Sequence, residues 1–248
     1  MLLPCDSVQP KIDSQRGLTL FEDTPPSTLT RSAILIQNRN DLMSTVLVIT
    51  ASPRDERSVS RALTTGFARL WAQHHPQDTI LLRDIGHHPV PHVTEPWVVG
   101  AFAPPEAQTA ESKAAIAVSD QLVGEFLAAD CYVFGVPMYN FNIPSTFKAY
   151  IDQIVRAGKT FAVGPTGFEG LVKNKKALFI TSSGGAYGPG TPMAAYNFQE
   201  PYLRVIFGFI GLTDLQFIAA DSMNQGEDAA THSREKAENA LKELAAAW

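Results

Sequence analysis

The sequence predicts an α/β fold in which five parallel strands form a doubly wound sheet, in the spatial order 2-1-3-4-5 with helices on both faces. Short apolar runs alternate with segments of helical periodicity from residue 45 onward. Most of these runs are continuous rather than alternating, which is typical of strands covered on both faces. The length of 248 residues also lies within the range of a single hydrophobic core.

Each predicted element corresponds to one of these segments. The strands are Thr45–Thr50, Thr79–Leu82, Cys131–Val136, Ala177–Thr181 and Leu215–Ala219. Apolar residues at helical spacing predict a helix over residues 58–74, a second that ends near Ala129 and a third after Pro144. An apolar stripe near the C-terminus predicts a last helix, with Ser233 as its N-cap.

Two regions fall outside the alternation. Residues 1–42 carry a Pro-Pro pair and scattered polar residues without sustained periodicity, which predicts a poorly ordered N-terminal extension. Residues 86–110 are rich in Pro, Gly and His and predict a long loop. Met43 lies two residues before the first strand, so one domain is expected over residues 43–248.

Composition excludes several classes of protein. The formal charge of −5 argues against a broad nucleic-acid or anionic-membrane surface, while leaving room for a local basic pocket. No apolar run has the length of a membrane helix, and no secretory signal precedes residue 43. The two cysteines, Cys5 and Cys131, have no metal or redox spacing. These observations predict a cytoplasmic protein with reduced thiols.

The loop after the first strand predicts a phosphate site. In an open parallel sheet, ligands bind beyond the carboxyl ends of the strands. Here that loop carries Ser52, Ser58 and Ser60 and leads into a helix, whose free N–H groups and dipole favour an anion. The Walker and dinucleotide glycine motifs are both missing from the sequence. The alternative is that Ser58 or Ser60 only caps the helix.

Two further loops end at the same predicted sheet edge. After the third strand come Met138, Tyr139, Asn140 and Phe141, a mixture that suits stacking and hydrogen bonding to a flat ring. After the fourth strand come Ser182, Ser183, Gly184 and Gly185, where paired glycines permit close approach of a ligand. A buried aromatic turn and an ordinary tight turn are the alternatives, but three such loops at one edge indicate a binding site.

Four segments of the sequence make the prediction specific. They are Ser52-Pro53-Arg54 with Ser58-Val59-Ser60, the stretch PMYNFNIPSTFKAYIDQIVRAGKTF, the loop TSSGG and the segment FGFIGLTD. Together they closely resemble the bacterial FMN-dependent NADH:quinone oxidoreductases, or azoreductases, which have a flavodoxin-like fold. The resemblance covers roughly residues 43–222, and the MYNFNIPS motif followed by RAGKTF is its most specific part.

The resemblance implies an FMN-binding catalytic domain over residues 43–248. It implies FMN phosphate contacts at Ser52, Ser58, Val59 and Ser60. The flavin ring would lie against Met138, Tyr139, Asn140 and Phe141 and against Ser182, Ser183, Gly184 and Gly185. Members of this family often carry Arg where this chain has Ser183, so a charge near the flavin edge is expected to be absent.

The resemblance also implies the substrates and the assembly. Electrons would pass from NADH or NADPH to quinones or azo compounds, with donor and acceptor using one slot in turn. Phe161 and Phe209 match aromatic positions on the substrate side in a homodimer, although ordinary core packing is the alternative for Phe209. Tyr187 and Tyr139 are the side chains to test as proton donors or positioners. No side chain is assigned as catalytic, because solvent can supply protons to an open site.

Other functions fit the sequence less well. A flavodoxin-like electron carrier and a flavin-binding regulatory protein have the same fold and are the alternatives. The serine donors of the phosphate loop and the MYNF turn favour the oxidoreductase over both. His87, His88 and His92 share a loop but lack a partner at metal-ligand spacing, so no metal is expected. Ser182, Asp214 and His232 do not form a hydrolase motif, because GxSxG is missing.

Overall fold

The computed structural model describes residues 43–165 and 167–248. The predicted N-terminal extension, residues 1–42, lies outside them. The strands are β1 (Thr45–Thr50), β2 (Thr79–Asp84), β3 (Cys131–Pro137), β4 (Phe161–Gly164), β5 (Gly167–Gly170), β6 (Lys176–Ser182) and β7 (Asp214–Ala220). The α-helices are α1 (Val59–His74), α2 (Glu95–Phe102), α3 (Ala110–Ala128), α4 (Ser145–Ile154), α5 (Gln199–Phe209) and α6 (Glu227–Ala247).

Five of the strands form one parallel sheet, in the order β2-β1-β3-β6-β7. This arrangement confirms the predicted order 2-1-3-4-5 once the separate antiparallel pair β4–β5 is set aside. All five predicted strands are present, and their ends differ from the prediction by at most two residues. The central strand β3 is buried along its whole length, which explains its continuous apolar sequence.

Alternate residues of the strands enter two hydrophobic clusters. Val46 and Val48 of β1 belong to one, which includes Phe67 and Trp71 of α1, Leu241 of α6 and their neighbours. Leu47 and Ile49 belong to the other, which takes its helical members from α3, α4 and α5, among them Phe126, Ile151 and Phe207. The period-two geometry of a strand produces this division.

The prediction of an unstructured loop over residues 86–110 is wrong. The segment contains α2 and a short 3-10 helix at Pro105–Ala107. Thr94 caps α2 by accepting from the Trp97 N–H, and the buried Trp97 indole donates to Gln153 Oε1 at 2.7 Å. Gly100 lets α2 approach α3, since a Cβ there would lie 2.6 Å from the Ser112 carbonyl oxygen. Packing against α3 therefore stabilises a helix that composition alone disfavours.

The predicted start of the last helix is also wrong. Helix α6 begins at Glu227, so Ser233 lies inside it rather than at its N-cap. The Ser233 hydroxyl donates to Asp221 Oδ1 at 3.1 Å. The apolar stripe begins only at Ala237, whereas the first turn is acidic, which suits the positive end of the helix dipole.

Candidate functional site

The carboxyl ends of the strands border a cavity of about 280 Å³. The loop between β1 and α1 contributes Ser52, Arg54, Arg57, Ser58 and Val59. The loop after β3 contributes Pro137, Met138 and Tyr139, and the loop after β6 contributes Ser182, Ser183 and Gly184. The structure thus brings together the three loops that the sequence singles out.

The β1–α1 loop presents hydrogen-bond donors and positive charge to this cavity. Ser58 is the N-cap of α1, and its Oγ accepts from the Arg61 N–H at 3.3 Å. The N–H groups of Val59 and Ser60, in the first turn, have no acceptor within the helix. Arg54 and Arg57 line the cavity, whereas the acidic residues between them do not. The cavity therefore has the character of an anion site.

The turn after β3 has an unusual backbone. Tyr139 and Asn142 exchange two backbone hydrogen bonds, of 2.8 and 3.0 Å. Between them, Asn140 and Phe141 have φ of 48° and 67°. Two successive positive φ values are the pattern of a type I′ turn, which disfavours a residue such as Phe by about 1–2 kcal/mol. Strain of this kind clusters at binding sites, where it holds a side chain in a required position.

Backbone hydrogen bonds join the loops into one unit. The Met138 N–H donates to the Ser182 carbonyl oxygen at 2.7 Å. The loop after β7 is joined to the glycine loop, because the Asn224 N–H donates to the Gly184 carbonyl oxygen at 2.9 Å. A Cβ at Gly184 would lie 2.6 Å from Asn224 Nδ2, so a larger residue there would displace the Asn224 side chain. The floor of the cavity is thus fixed by pairing between strand ends.

Met223 and Asn224 also line the cavity, although they are not among the site residues that the sequence predicts. They follow β7, the fifth strand of the sheet. The rule that selected the other three loops applies equally to this strand end. Their omission reflects the weak local signal of a short polar segment, because no glycine pair or aromatic run marks it.

An acidic group next to the cavity wall is held ionised. Asp84, at the end of β2, is partly buried, which raises the pKa of its carboxyl group. Hydrogen bonds from Arg61 and His87 outweigh this effect and lower the pKa of Asp84 to about 2. Asp84 is therefore a carboxylate at neutral pH, paired with the Arg61 guanidinium at 2.6 Å.

The family model for the flavodoxin-like fold matches residues 44–245. The chain belongs to this flavodoxin-like family. It is 58% identical over 207 residues to FMN-dependent NADH:quinone oxidoreductase 2 of Trichormus variabilis, which covers 83% of this chain and 100% of the relative. A crystal structure of an azoreductase from Bacillus anthracis str. Sterne is similar, with a TM-score of 0.78 and 32% identity over 83% of this chain and all of that chain.

A further solved structure of a related flavodoxin-like protein contains a ligand. It is described as an FMN-dependent NADH-azoreductase from Bacillus anthracis str. Ames Ancestor in complex with FMN. The similarity has a TM-score of 0.74 and 27% identity, and covers 82% of this chain and all of that chain.

Most of the sequence-predicted cofactor residues of this flavodoxin-like chain share the cavity. Its lining includes Ser52, Ser58, Val59, Met138, Tyr139, Ser182, Ser183 and Gly184. Ser183 Oγ donates to the Gly185 carbonyl oxygen at 2.8 Å, so the Ser183 side chain supports the glycine loop.

The remaining predicted residues lie around this cavity. Ser60 is fully buried, and no partner for its hydroxyl is found in residues 43–165 and 167–248. Asn140 borders a separate cavity of about 490 Å³ together with Tyr139 and Tyr202. Gly185 lies against Tyr187, because a Cβ at Gly185 would be 3.3 Å from the Tyr187 hydroxyl.

The predicted substrate-side aromatics fall into two groups. The Phe161 and Phe209 ring centroids are 4.8 Å apart, and Phe168 contacts both. Tyr187 instead contacts Phe141, with ring centroids 5.9 Å apart, and Phe141 also contacts Tyr196. The Tyr187 group adjoins the glycine loop, and the contacts within the described residues do not bring all three predicted residues together.

Within residues 43–165 and 167–248, no group of three or more His, Cys, Asp or Glu side chains is arranged to hold a metal ion. No helix in that part of the chain is long and apolar enough to span a membrane. Burial raises the pKa of the Cys131 thiol to about 12, so this thiol remains protonated at neutral pH.

Proposed function

We propose that this protein is an FMN-dependent oxidoreductase that transfers electrons from NADH or NADPH to quinones and reductively cleaves aromatic azo compounds. The observation that carries this proposal is the single cavity into which the serine-arginine loop, the MYNF turn and the glycine loop converge. The similarity to FMN-dependent quinone oxidoreductases and azoreductases supports the same activity.

The residues present fit FMN. Ser52, Ser58 and the free N–H groups at the start of α1 would hold the phosphate, with Arg54 and Arg57 supplying positive charge. The buried Ser60 hydroxyl, which lacks a protein partner in the described ranges, is a further donor beside this helix start. The flavin ring would lie against Met138, Tyr139, Asn140 and Phe141 and against Ser182, Ser183, Gly184 and Gly185.

The protein residues orient the reactants and shape the slot. When bound, FMN supplies the two-electron redox chemistry. Tyr139 lines the cavity, and the Phe141–Tyr187 pair provides an aromatic edge, partly exposed, on which a planar nicotinamide or quinone can stack. Donor and acceptor would use this slot in turn, and solvent would supply the protons.

The proposal also covers the arrangement of the helices around the sheet, the cellular location and the bounds of the catalytic domain. The two hydrophobic clusters support a doubly wound arrangement, with α1 and α6 against one face of the sheet and α3, α4 and α5 against the other. The free Cys131 thiol supports a location in a reducing compartment such as the cytoplasm. We place the catalytic domain at residues 43–248.

The phosphate placement predicts the effect of Ser58→Asp. Asp caps a helix as well as Ser does, so α1 should form normally. A negative charge beside the phosphate repels it and weakens binding. A loss of about 1.4 kcal/mol or more in binding free energy corresponds to at least a tenfold weaker affinity for FMN, which is the expected result. Titration of the flavin-free protein, followed by absorbance near ~450 nm, measures this affinity. Unchanged affinity would show that the phosphate binds elsewhere.

A steady-state assay with NADH and a quinone tests the activity itself. Use of one slot by both substrates requires ping-pong kinetics, so double-reciprocal plots at several quinone concentrations should be parallel. Intersecting lines would mean that both substrates bind together and would contradict the single slot. Retention of FMN without turnover would instead favour an electron carrier or a regulatory protein.

The domain assignment predicts the behaviour of a chain that starts at Met43. It should fold, hold FMN and turn over quinone at the rate of the full chain, because the sheet and the cavity lie within residues 43–248. A melting temperature lower by more than about 5 °C corresponds to roughly 1–2 kcal/mol for a domain of this size. Such a change, or a severalfold loss of activity, would contradict the assignment.

We also propose a homodimer in which the β4–β5 hairpin of one subunit meets its partner. Val163 and Phe168 on this hairpin are 70% and 68% exposed, which is high for apolar side chains. Phe168 contacts Phe161 and Phe209, so the exposed patch is continuous with the predicted substrate-side aromatics. Contact between subunits would bring this aromatic group to the partner's cavity.

This proposal predicts that Phe168→Glu gives a monomer in sedimentation-velocity experiments, because a buried unpaired charge disfavours association. Quinone turnover should fall while FMN is retained. The matched control is Leu82→Glu on the edge strand β2, where the side chain is 47% exposed. A parent protein that sediments as a monomer, or equal effects of both variants, would contradict the proposed interface.

A further inference from the structure

The Arg61 side chain makes five hydrogen bonds, all to protein acceptors. Its Nε–H donates to the Arg54 carbonyl oxygen at 3.0 Å. One terminal nitrogen donates to Thr50 Oγ1 and Asp84 Oδ2, at 3.2 and 2.6 Å. The other donates to Asp84 Oδ1 at 3.0 Å and to the Ser52 carbonyl oxygen. A guanidinium group has five N–H donors, so Arg61 has none left for a ligand.

Two of these acceptors belong to the loop that forms the anion site. Ser52 and Arg54 both line the cavity, while Arg61 holds their carbonyl oxygens from the side of α1. A carbonyl oxygen turned toward a phosphate would repel it. Arg61 therefore fixes the peptide groups of the loop in an orientation that keeps these two oxygens on the guanidinium.

The end of strand β2 holds Arg61 in place. The Asp84 carboxylate binds the guanidinium through both oxygens, a bidentate geometry that restrains its direction. Asp84 also accepts from the backbone N–H groups of Gly86 and His87, at 3.1 and 3.2 Å. Gly86 packs directly on the loop, since a Cβ there would lie 2.0 Å from the Ser52 carbonyl oxygen. Arg61 is thus the connection between two loops.

A second connection between the same loops is weaker. His87 lies between two carboxylates, with Nδ1 at 2.8 Å from Asp84 Oδ2 and Nε2 at 3.0 Å from Asp55 Oδ1. The Asp55 side chain is 84% exposed, however, whereas Arg61 and Asp84 are 18% and 24% exposed. Exposed ion pairs contribute little because water and salt screen them. Arg61 is therefore the main support of the loop.

We propose that Arg61 is the positioning residue of the FMN-phosphate loop, and that this chain depends on it for tight binding of the phosphate group rather than of the flavin ring. This inference rests on the proposed placement of the FMN phosphate at Ser52 and Ser58. Lysine cannot take the same role, because an ammonium group has three donors and no planar fork.

Comparison of FMN with riboflavin, which lacks the phosphate, tests the inference. The flavin-free full chain carrying Arg61→Lys should bind FMN at least tenfold more weakly than the parent, while riboflavin binding changes less than twofold. The matched control is Arg69→Lys, on the exposed side of the same helix, with no side-chain hydrogen bond within the described residues. It should change neither affinity. Circular dichroism and melting of each variant report on folding.

Comparison of Ser58→Asp with Arg61→Lys distinguishes failure of this inference from failure of the proposed phosphate placement. If Ser58→Asp weakens FMN binding and Arg61→Lys leaves it unchanged, the positioning role of Arg61 is overturned. The phosphate placement is then kept. Unchanged FMN affinity in both variants would overturn both. Equal losses for FMN and riboflavin in Arg61→Lys would assign Arg61 a general structural role and also overturn the inference.

Asp84→Asn provides a second test if Arg61→Lys does not fold. Asparagine keeps one acceptor oxygen for Arg61 and nearly the same shape, but loses the charge and the bidentate contact. The inference predicts a selective loss of FMN affinity, severalfold and smaller than that of Arg61→Lys, with riboflavin binding retained. Parallel losses for both flavins, or none for either, would overturn it.

Discussion

Parallel pairing of the strands is the constraint on which the rest of the structure depends. The register joins Thr50 of β1 to Gly135 of β3, and Pro137 of β3 to Ser182 of β6, so these strands end at the same edge of the sheet. Every loop of the cavity begins at such an end. The residues of the cavity are far apart in sequence, and only the pairing makes them neighbours.

The pairing continues beyond the strands themselves. Hydrogen bonds from Met138 to Ser182, and from Asn224 to Gly184, extend the contact between neighbouring strand ends into the loops. A rigid base of this kind can hold the positive φ values of Asn140 and Phe141, which a free turn would relax. The strained turn and the packed core are therefore parts of one arrangement, in which burial stabilises the sheet and the sheet orients the site.

Much of the fold follows from sequence patterns, and the exceptions have physical causes. Continuous apolar runs located β1, β3 and β6 because burial leaves them few polar residues. Helix α2 was missed because its stability depends on tertiary contacts, such as the Trp97–Gln153 hydrogen bond, that no local pattern encodes. The polar first turns of α6 were missed for a related reason, since an apolar stripe records only where a helix meets the core.

The same limit applies to the site. Serines and glycines at strand ends were visible in the sequence, and eight of the predicted residues line the cavity. The role of Arg61 was not visible, because its acceptors lie up to 23 residues away, in Asp84. The RAGKTF motif is the opposite case, because it is conspicuous in the sequence but its arginine lies outside the cavity. Arg156 is buried and donates to Ser119 Oγ at 2.7 Å, so this conspicuous residue joins the segment after α4 to α3 and does not line the cavity.

An anion site in a chain with a formal charge of −5 requires that local charge outweigh net charge. Exposed charges farther away than about 8–10 Å are largely screened at physiological salt. The positive charge that lines the cavity comes from Arg54, Arg57 and the start of α1, whereas Asp55 and Glu56 of the same loop do not line it. Asp84, a partly buried carboxylate at the end of β2, is neutralised by Arg61, whose five N–H donors all bind protein acceptors. Removing the Arg61 guanidinium would therefore leave Asp84 with His87 as its remaining side-chain partner behind the loop, and this less compensated negative charge would oppose a phosphate in addition to any loss of loop geometry.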